Sequence, residues 1–281
     1  MESWHVAAAL LSAALHAGWN AAVKVDRQPH GIMTAQMVIA AVMVLPATVW
    51  SGLPSPAAWP WIAASTTLNM LAVTALLRVY ALFGFGIGYP VVRALSVMLV
   101  VPIAALLSGE RLSVYGLGGV GLIALALVLL GLGNDGRASR AGTPRAGWWI
   151  VVAGVATAVY VMCDAKGVRA AGSPFAYGFV ICVTNAAAML ALQASRGIRP
   201  WHVMQHHGLK AIPVAAASVA SYLLILVVWS RAPIAPAAAL RDTSAVFALL
   251  IAVFWLHESL TRLRLAAVIC AAVAIPLLRW A

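Results

Sequence analysis

Hydrophobic positions gather into long runs, and polar positions gather between them. Ten runs are long enough to cross a bilayer: 4–24, 31–50, 58–82, 88–108, 112–132, 147–166, 175–195, 209–230, 234–256 and 262–280. A spanning helix needs about 20 apolar residues. The pattern predicts an all-α polytopic membrane protein whose loops are too short to hold a separate domain. The first run has no basic start and is as long as a full span. It is therefore expected to be the first helix rather than a cleaved leader.

Polar residues inside the runs then stand out. In Leu15–Lys24, LHAGWNAAVK, His16, Asn20 and Lys24 recur every four residues and share one side of a helix, with Trp19 beside them. An ionisable side chain at mid-membrane costs about 2.5–3.5 kcal/mol. It should face a cavity or a partner rather than lipid. The alternative is an interhelical hydrogen bond, worth about 0.6 kcal/mol, that only joins helices. Lys24 lies at the helix end, where it can snorkel.

Tyr89, Arg93 and Ser96 make a second stripe, after the glycine-rich connection FGFGIG. Arg241 and Ser244 repeat it in the ninth run, after Pro233 and Pro236. The arginine fork suits a carboxylate or phosphate because it gives two parallel hydrogen bonds. Contact with lipid headgroups is the competing reading. Arg78 in the third run is a weaker candidate of the same kind. Trp19, Tyr80, Tyr160, Tyr222 and Trp229 lie deep enough to line a cavity.

The chain also repeats itself. Val92–Ser113, VRALSVMLVVPIAALLSGERLS, aligns with Leu240–Thr261, LRDTSAVFALLIAVFWLHESLT, at a constant offset. Arg93 meets Arg241, Ser96 meets Ser244, Glu110 meets Glu258 and Ser113 meets Thr261. A weaker echo joins NAAVK at Asn20–Lys24 to CDAK at Cys163–Lys166. The unit is five spans, so residues 1–134 form one repeat and 147–281 the other. The polar, Gly- and Arg-rich stretch 135–146 joins them. An odd number of spans inserts the second repeat upside down. Inverted repeats are a transporter architecture, with the substrate site near the midplane between the halves.

Ten spans in two five-span halves, a polar first helix and the GERLS and HESLT turns resemble the drug/metabolite transporter superfamily. The similarity is greatest to its ten-helix branch of amino acid and metabolite exporters. The resemblance implies a central cavity lined by spans 1, 3 and 4 and by spans 6, 8 and 9. It also implies transport of small organic solutes without ATP, export as the direction, the inner membrane as the location, and cytoplasmic termini.

Two acids lie within runs and clear of their ends, Asp164 and Asp242. A desolvated carboxylate can exchange a proton, so Asp164 is a candidate for coupling to protons, as is Asp242. A structural salt bridge with an arginine is the other reading. Glu110 and Glu258 sit in short turns and are expected to cap the helix that follows. Gly116, Gly118, Gly119 and Gly121 permit close helix approach, either inside a monomer or in a weak homodimer. Trp201–His207, WHVMQHH, is expected to be a loop. Its His202 and His206 would have metal spacing only if helical, and no third ligand is in view. No metal or cofactor is predicted. Cys163, Cys182 and Cys270 all fall inside runs and are expected to be buried thiols.

Composition agrees with the pattern. The chain is 64% hydrophobic and 9% charged, against about 25% charged in soluble domains. The net charge of +11 is scattered over loops and helix ends, with no basic, aromatic-rich segment for nucleic acid. Apart from Arg78, Arg93 and Arg241, ten Lys and Arg lie in the loops after odd-numbered spans and five on the side of the termini. The positive-inside rule then puts the termini outside, against what the resemblance implies. The expected function is secondary transport of a small carboxylate- or phosphate-bearing metabolite by alternating access, with lipids and protons as further partners. The alternative is a membrane-embedded enzyme that acts on a lipid or phosphate substrate through His16, Asp164 and the arginines. No nucleophile elbow, paired-histidine motif or phosphate loop supports it, and the repeat would have no role in it.

Overall fold

In the computed structural model the described residues are 1–26, 28–83, 85–132, 144–255 and 260–281. The side chains of 24, 25, 29, 80, 83, 85–87, 144–146, 252 and 255 also lie outside the description. The helices are α1 (Ser3–Val25), α2 (Pro29–Ser51), α3 (Trp59–Phe83), α4 (Phe85–Ser108), α5 (Val114–Leu132), α6 (Pro144–Ala170), α7 (Pro174–Ser195), α8 (Pro200–Arg231), α9 (Ile234–Asp242), α10 (Ser244–Trp255) and α11 (Arg262–Arg279). A 3-10 turn, Pro56–Ala58, precedes α3. Nine segments among the described residues are long and apolar enough to cross a membrane. The last helix, α11, is 18 residues long with arginines at both ends.

Helix starts follow local chemistry. Ser173 caps α7 by accepting from the Ala176 N–H at 3.3 Å, and Pro174 follows at the first helical position. Ser113 accepts from the Gly116 N–H at 3.1 Å, and Thr261 from the Arg264 N–H at 3.3 Å. These two hydroxyls occupy equivalent places in the aligned halves.

Three expectations change. The stretch WHVMQHH is helical, because α8 already starts at Pro200. His206 Nδ1 sits 2.9 Å from the His202 carbonyl, and no three metal-ligating side chains gather among the described residues. The ninth run is two helices, interrupted at Thr243, whose hydroxyl donates to the Leu240 carbonyl at 2.6 Å. Glu110 does not cap α5, the helix that follows it. Its carboxylate accepts the N–H groups of Ile234 at 2.8 Å and Ala235 at 3.3 Å, at the start of α9. Glu258 and the linker 133–143 lie outside the described residues.

The helix pairings come in matched sets. Helix α1 packs on α8 as α3 packs on α6, and α1 meets α9 and α10 as α6 meets α4. Helices α2 and α7 pack together, as do α5 and α11. Hydroxyls tie several of these seams. The Ser12 hydroxyl donates to the Ser221 carbonyl at 2.6 Å, and the Ser221 hydroxyl to the Ser12 carbonyl at 2.7 Å. Thr66 and Thr184 join α3 to α7 at 2.8 Å. Gly116 and Gly119 let α5 approach closely, since a Cβ at Gly119 would come within 2.7 Å of Leu278. Gly118 and Gly121 face away, and a Cβ at either would meet nothing within 4 Å.

The two ends of the bundle differ. At the end holding both termini, Arg169 donates to the carbonyls of Trp229 at 2.9 Å and Ala232 at 2.8 Å, and its guanidinium lies 3.7 Å from Glu110. Glu110 thus closes this end by joining the α4–α5 turn to α6 and α9. At the opposite end, His207 meets Asp26 at 3.6 Å and Gln28 at 3.3 Å. Glu110→Ala leaves the first N–H groups of α9 without their acceptor. A hydrogen bond to a charged group is worth about 1.5–3 kcal/mol. Thermal unfolding in detergent should show a clearly lowered midpoint for this variant, and an unchanged midpoint would mean that Glu110 holds nothing together.

Candidate functional site

A cavity of about 170 Å3 lies among α1–α4 and α6–α9. A cavity of about 150 Å3 holds one benzene-sized molecule, so the space suits a solute of that order. Of the residues singled out by sequence, His16, Trp19, Asn20, Tyr89, Arg93, Tyr160, Asp164, Tyr222 and Arg241 line it. Ser96, Trp229, Ser244 and Asp242 are buried behind the wall. Arg78 lines a second pocket nearer the bundle end. The side chain of Tyr80 lies outside the described residues.

The two aligned arginines have different surroundings. Arg93 is buried and meets Asp242 at 3.1 Å. Its guanidinium also lies 2.8 Å from His16 Nε2 and 5.3 Å from the Tyr89 ring centroid. A guanidinium only donates, so His16 accepts through Nε2 and carries its proton on Nδ1. Edge-on contact with Trp19, at 4.9 Å between ring centroids, fixes the imidazole further. Asn20 turns its amide back to the His16 carbonyl at 2.7 Å.

Arg241 has no such pair. Its Nε and Nη1 are buried and have no hydrogen-bond partner among the described residues. Its guanidinium lies 5.6 Å from the Trp229 ring centroid, a cation–π contact. Sequence register explains the difference. In the alignment that sets Arg93 beside Arg241, Asp242 falls opposite Ala94. The reciprocal partner of Arg241 is therefore a methyl group rather than a carboxylate.

Asp164 is buried without an ion pair among the described residues. Three hydroxyls surround its carboxylate: Ser65 at 2.5 Å, Tyr222 at 2.8 Å and Tyr177 at 3.1 Å. They come from α3, α8 and α7. Tyr177 reaches Asp164 across Gly167, where a Cβ would fall 2.6 Å from the phenolic oxygen. Only glycine lets the two approach.

Spans α2 and α7 also line the cavity, through Met33, Gln36 and Met37 and through Ile181, Cys182 and Asn185. The resemblance did not imply them. Asn69, Thr157, Asn185 and Ser218 are polar residues inside apolar runs, a signal the sequence carries. The methionines carried no signal. Asn185 Oδ1 and Trp19 Nε1 are buried without a partner among the described residues.

A crystal structure of a protein 17% identical in sequence superposes with a TM-score of 0.70, covering 98% of this chain and 95% of its own. That match shows the fold. No curated protein matches the chain in sequence. Residues 145–280 match the EamA-like transporter family. The second half of the chain is an EamA-like transporter segment. This match to the second half agrees with the resemblance to the drug/metabolite transporter superfamily read from the sequence. Proteins of the EamA-like family are transporters rather than enzymes. The chain is accordingly a multi-pass membrane protein of transporter type, with a small molecule as substrate and lipids around it.

Breaking a buried ion pair from one side costs about 3–5 kcal/mol, because it strands the other charge, whereas replacing both partners by apolar groups is often neutral. Asp242→Ala should therefore lower the unfolding midpoint in detergent strongly, and Arg93→Met with Asp242→Leu should recover most of the loss. Additive losses in the double variant would show that the two residues are not a pair.

Proposed function

We propose that the protein is a secondary transporter that exports a small carboxylate-bearing solute, an amino acid or close analogue, across the inner membrane by alternating access. The observation that carries this reading is Arg241 on the wall of a cavity among eight helices, with Nε and Nη1 lacking a hydrogen-bond partner among the described residues. One free guanidinium matches one carboxylate in a bidentate pair. A phosphate dianion would call for a second cation, and Arg93 is already committed to Asp242. Asn185 Oδ1 lacks a partner among the described residues and supplies an acceptor for the ammonium group. Trp19, Tyr89, Tyr160 and Tyr222 give the apolar body of the solute its packing surface.

Asp164 is the coupling residue in this reading, and Asp242 serves instead to neutralise Arg93. The hydroxyls around Asp164 stabilise its charge while the helices are arranged as they are here. The matched helix pairings support two five-helix repeats of opposite orientation, and rocking one against the other would expose the cavity to alternate sides. The protein works as a monomer or weak homodimer. Following the charge count, the bundle end opposite the termini faces the cytoplasm, and both termini lie outside.

Reconstituted liposomes test the substrate assignment. Arg241→Gln should cut uptake of labelled amino acids by about tenfold or more, the loss of roughly 1.4 kcal/mol or more of charge-assisted binding, with Arg241→Lys intermediate. Normal uptake by both variants would exclude Arg241 as the anchor. In the same vesicles, Asp164→Asn should remove the response of transport to an imposed pH gradient, and a retained response assigns coupling elsewhere.

Orientation is tested in cells. A reporter fused after Ala281 that fluoresces only in the cytoplasm should stay dark. Bright cells would show both termini inside.

A further inference from the structure

A second pocket of about 380 Å3 opens among α2, α3 and α7, near the bundle end opposite the termini. Met33 and Val73 line both this pocket and the central cavity, so the two spaces adjoin at these side chains. His30, Arg78 and Arg196 line the outer space, and no carboxylate does so among the described residues. None of the three side chains has an ion-pair or hydrogen-bond partner among the described residues. Gln193 adds an independent sign of a ligand. It is 3% exposed, its Nε2 donates to Thr34 at 2.8 Å, and its Oε1 has no partner among the described residues.

Arg78 lies more than a turn inside α3, as the one charged residue in that helix's sequence. A cation at that depth needs water or an anion. Two arginines without an ion-pair partner among the described residues focus a positive potential into one concave space, which raises the local concentration of anions, and His30 adds a ring N–H donor beside them. The matching positions in the second half do not repeat the arginine, since Leu226 stands at the equivalent of Arg78. The basic pocket therefore belongs to one side of the molecule only.

We infer that this pocket is a second anion site, distinct from the Arg241 cavity, that holds a carboxylate- or phosphate-bearing solute before it passes Met33 and Val73. His30, Arg78 and Arg196 bind the anionic group, and Gln193 Oε1 accepts from an N–H or O–H of the same solute. The existence of the site stands on its own residues. Its place on the transport path rests on the proposed transporter function. A lipid headgroup phosphate offers the same anionic oxygens, but the adjacency to the central cavity favours a soluble solute.

The experiment uses the full chain in a neutral detergent without added lipid. Inorganic phosphate, exchanged against chloride at constant ionic strength, should raise the melting temperature saturably. Arg78→Gln combined with Arg196→Gln should abolish the rise, and Arg241→Gln should retain it. Arg241→Lys replaces that control if the glutamine variant does not fold. An unchanged rise in the double variant, the absence of any saturable rise, or a rise lost only with Arg241 would overturn the site. Stabilisation that requires added phosphatidylglycerol would assign the pocket to a lipid headgroup and overturn the solute reading. In phosphatidylcholine vesicles the double variant should raise KM for a transported carboxylate several-fold, whereas Arg241→Gln should depress transport even at high substrate. An unchanged KM would remove the pocket from the transport path. If wild-type vesicles move no carboxylate solute, the transporter proposal fails, and the melting experiment still decides whether the site exists.

Discussion

A guanidinium buried among apolar helices must have a counter-charge, and Arg93 finds its own on the other half of the chain. Asp242 supplies the carboxylate and His16 the acceptor, so α4, α9 and α1 meet at one point. Much of the site follows from that requirement. Of the two acids well inside the spans, Asp242 is consumed by Arg93, and Asp164 is wrapped by hydroxyls from three helices. Neither acid makes an ion pair with Arg241 among the described residues. The substrate-facing charge of the cavity is thus a remainder, set by an alanine at position 94 where symmetry would have placed an acid.

The spans were legible because hydrophobic length is a one-dimensional property and the bilayer enforces it. The boundaries of α1, α2, α5 and α7 fall within a few residues of the apolar runs. Where the sequence misled, a local polarity signal was read as a break. WHVMQHH is polar enough to suggest a loop, yet Pro200 starts a helix there, and His207 is held by Asp26 and Gln28 from the neighbouring α1–α2 connection. Thr243 produced the opposite error. Its run has the length and overall hydropathy of one span despite Arg241, Asp242 and Ser244 beside it, but its side chain takes the Leu240 carbonyl and the helix is interrupted there.

Partner choice was harder to read than position. The stripes of α1 and α4 pointed to the cavity residues because helical periodicity puts His16, Asn20, Tyr89 and Arg93 on definite faces. Periodicity does not say which of two aligned arginines takes the acid, because that depends on contacts between residues about 150 positions apart. The same limit hid Glu110, whose sequence neighbours suggest a cap for α5 while its carboxylate reaches the start of α9. It also hid the methionines of α2, which look like any lipid-facing side chains until the fold turns them inward.

The break at Thr243 leaves α9 as a nine-residue segment, roughly 13 Å long at 1.5 Å per residue. One end is grasped by Glu110, and the other carries Arg241 and Asp242. A helix this short does not bend appreciably, so it behaves as a lever with one arm in the closure of the bundle end and the other in the cavity. On this geometry, letting go of the first arm would displace the charges on the second, and filling the cavity would bear on the closure. Nine residues suffice to make the two places answer to each other, with no longer chain of contacts between them.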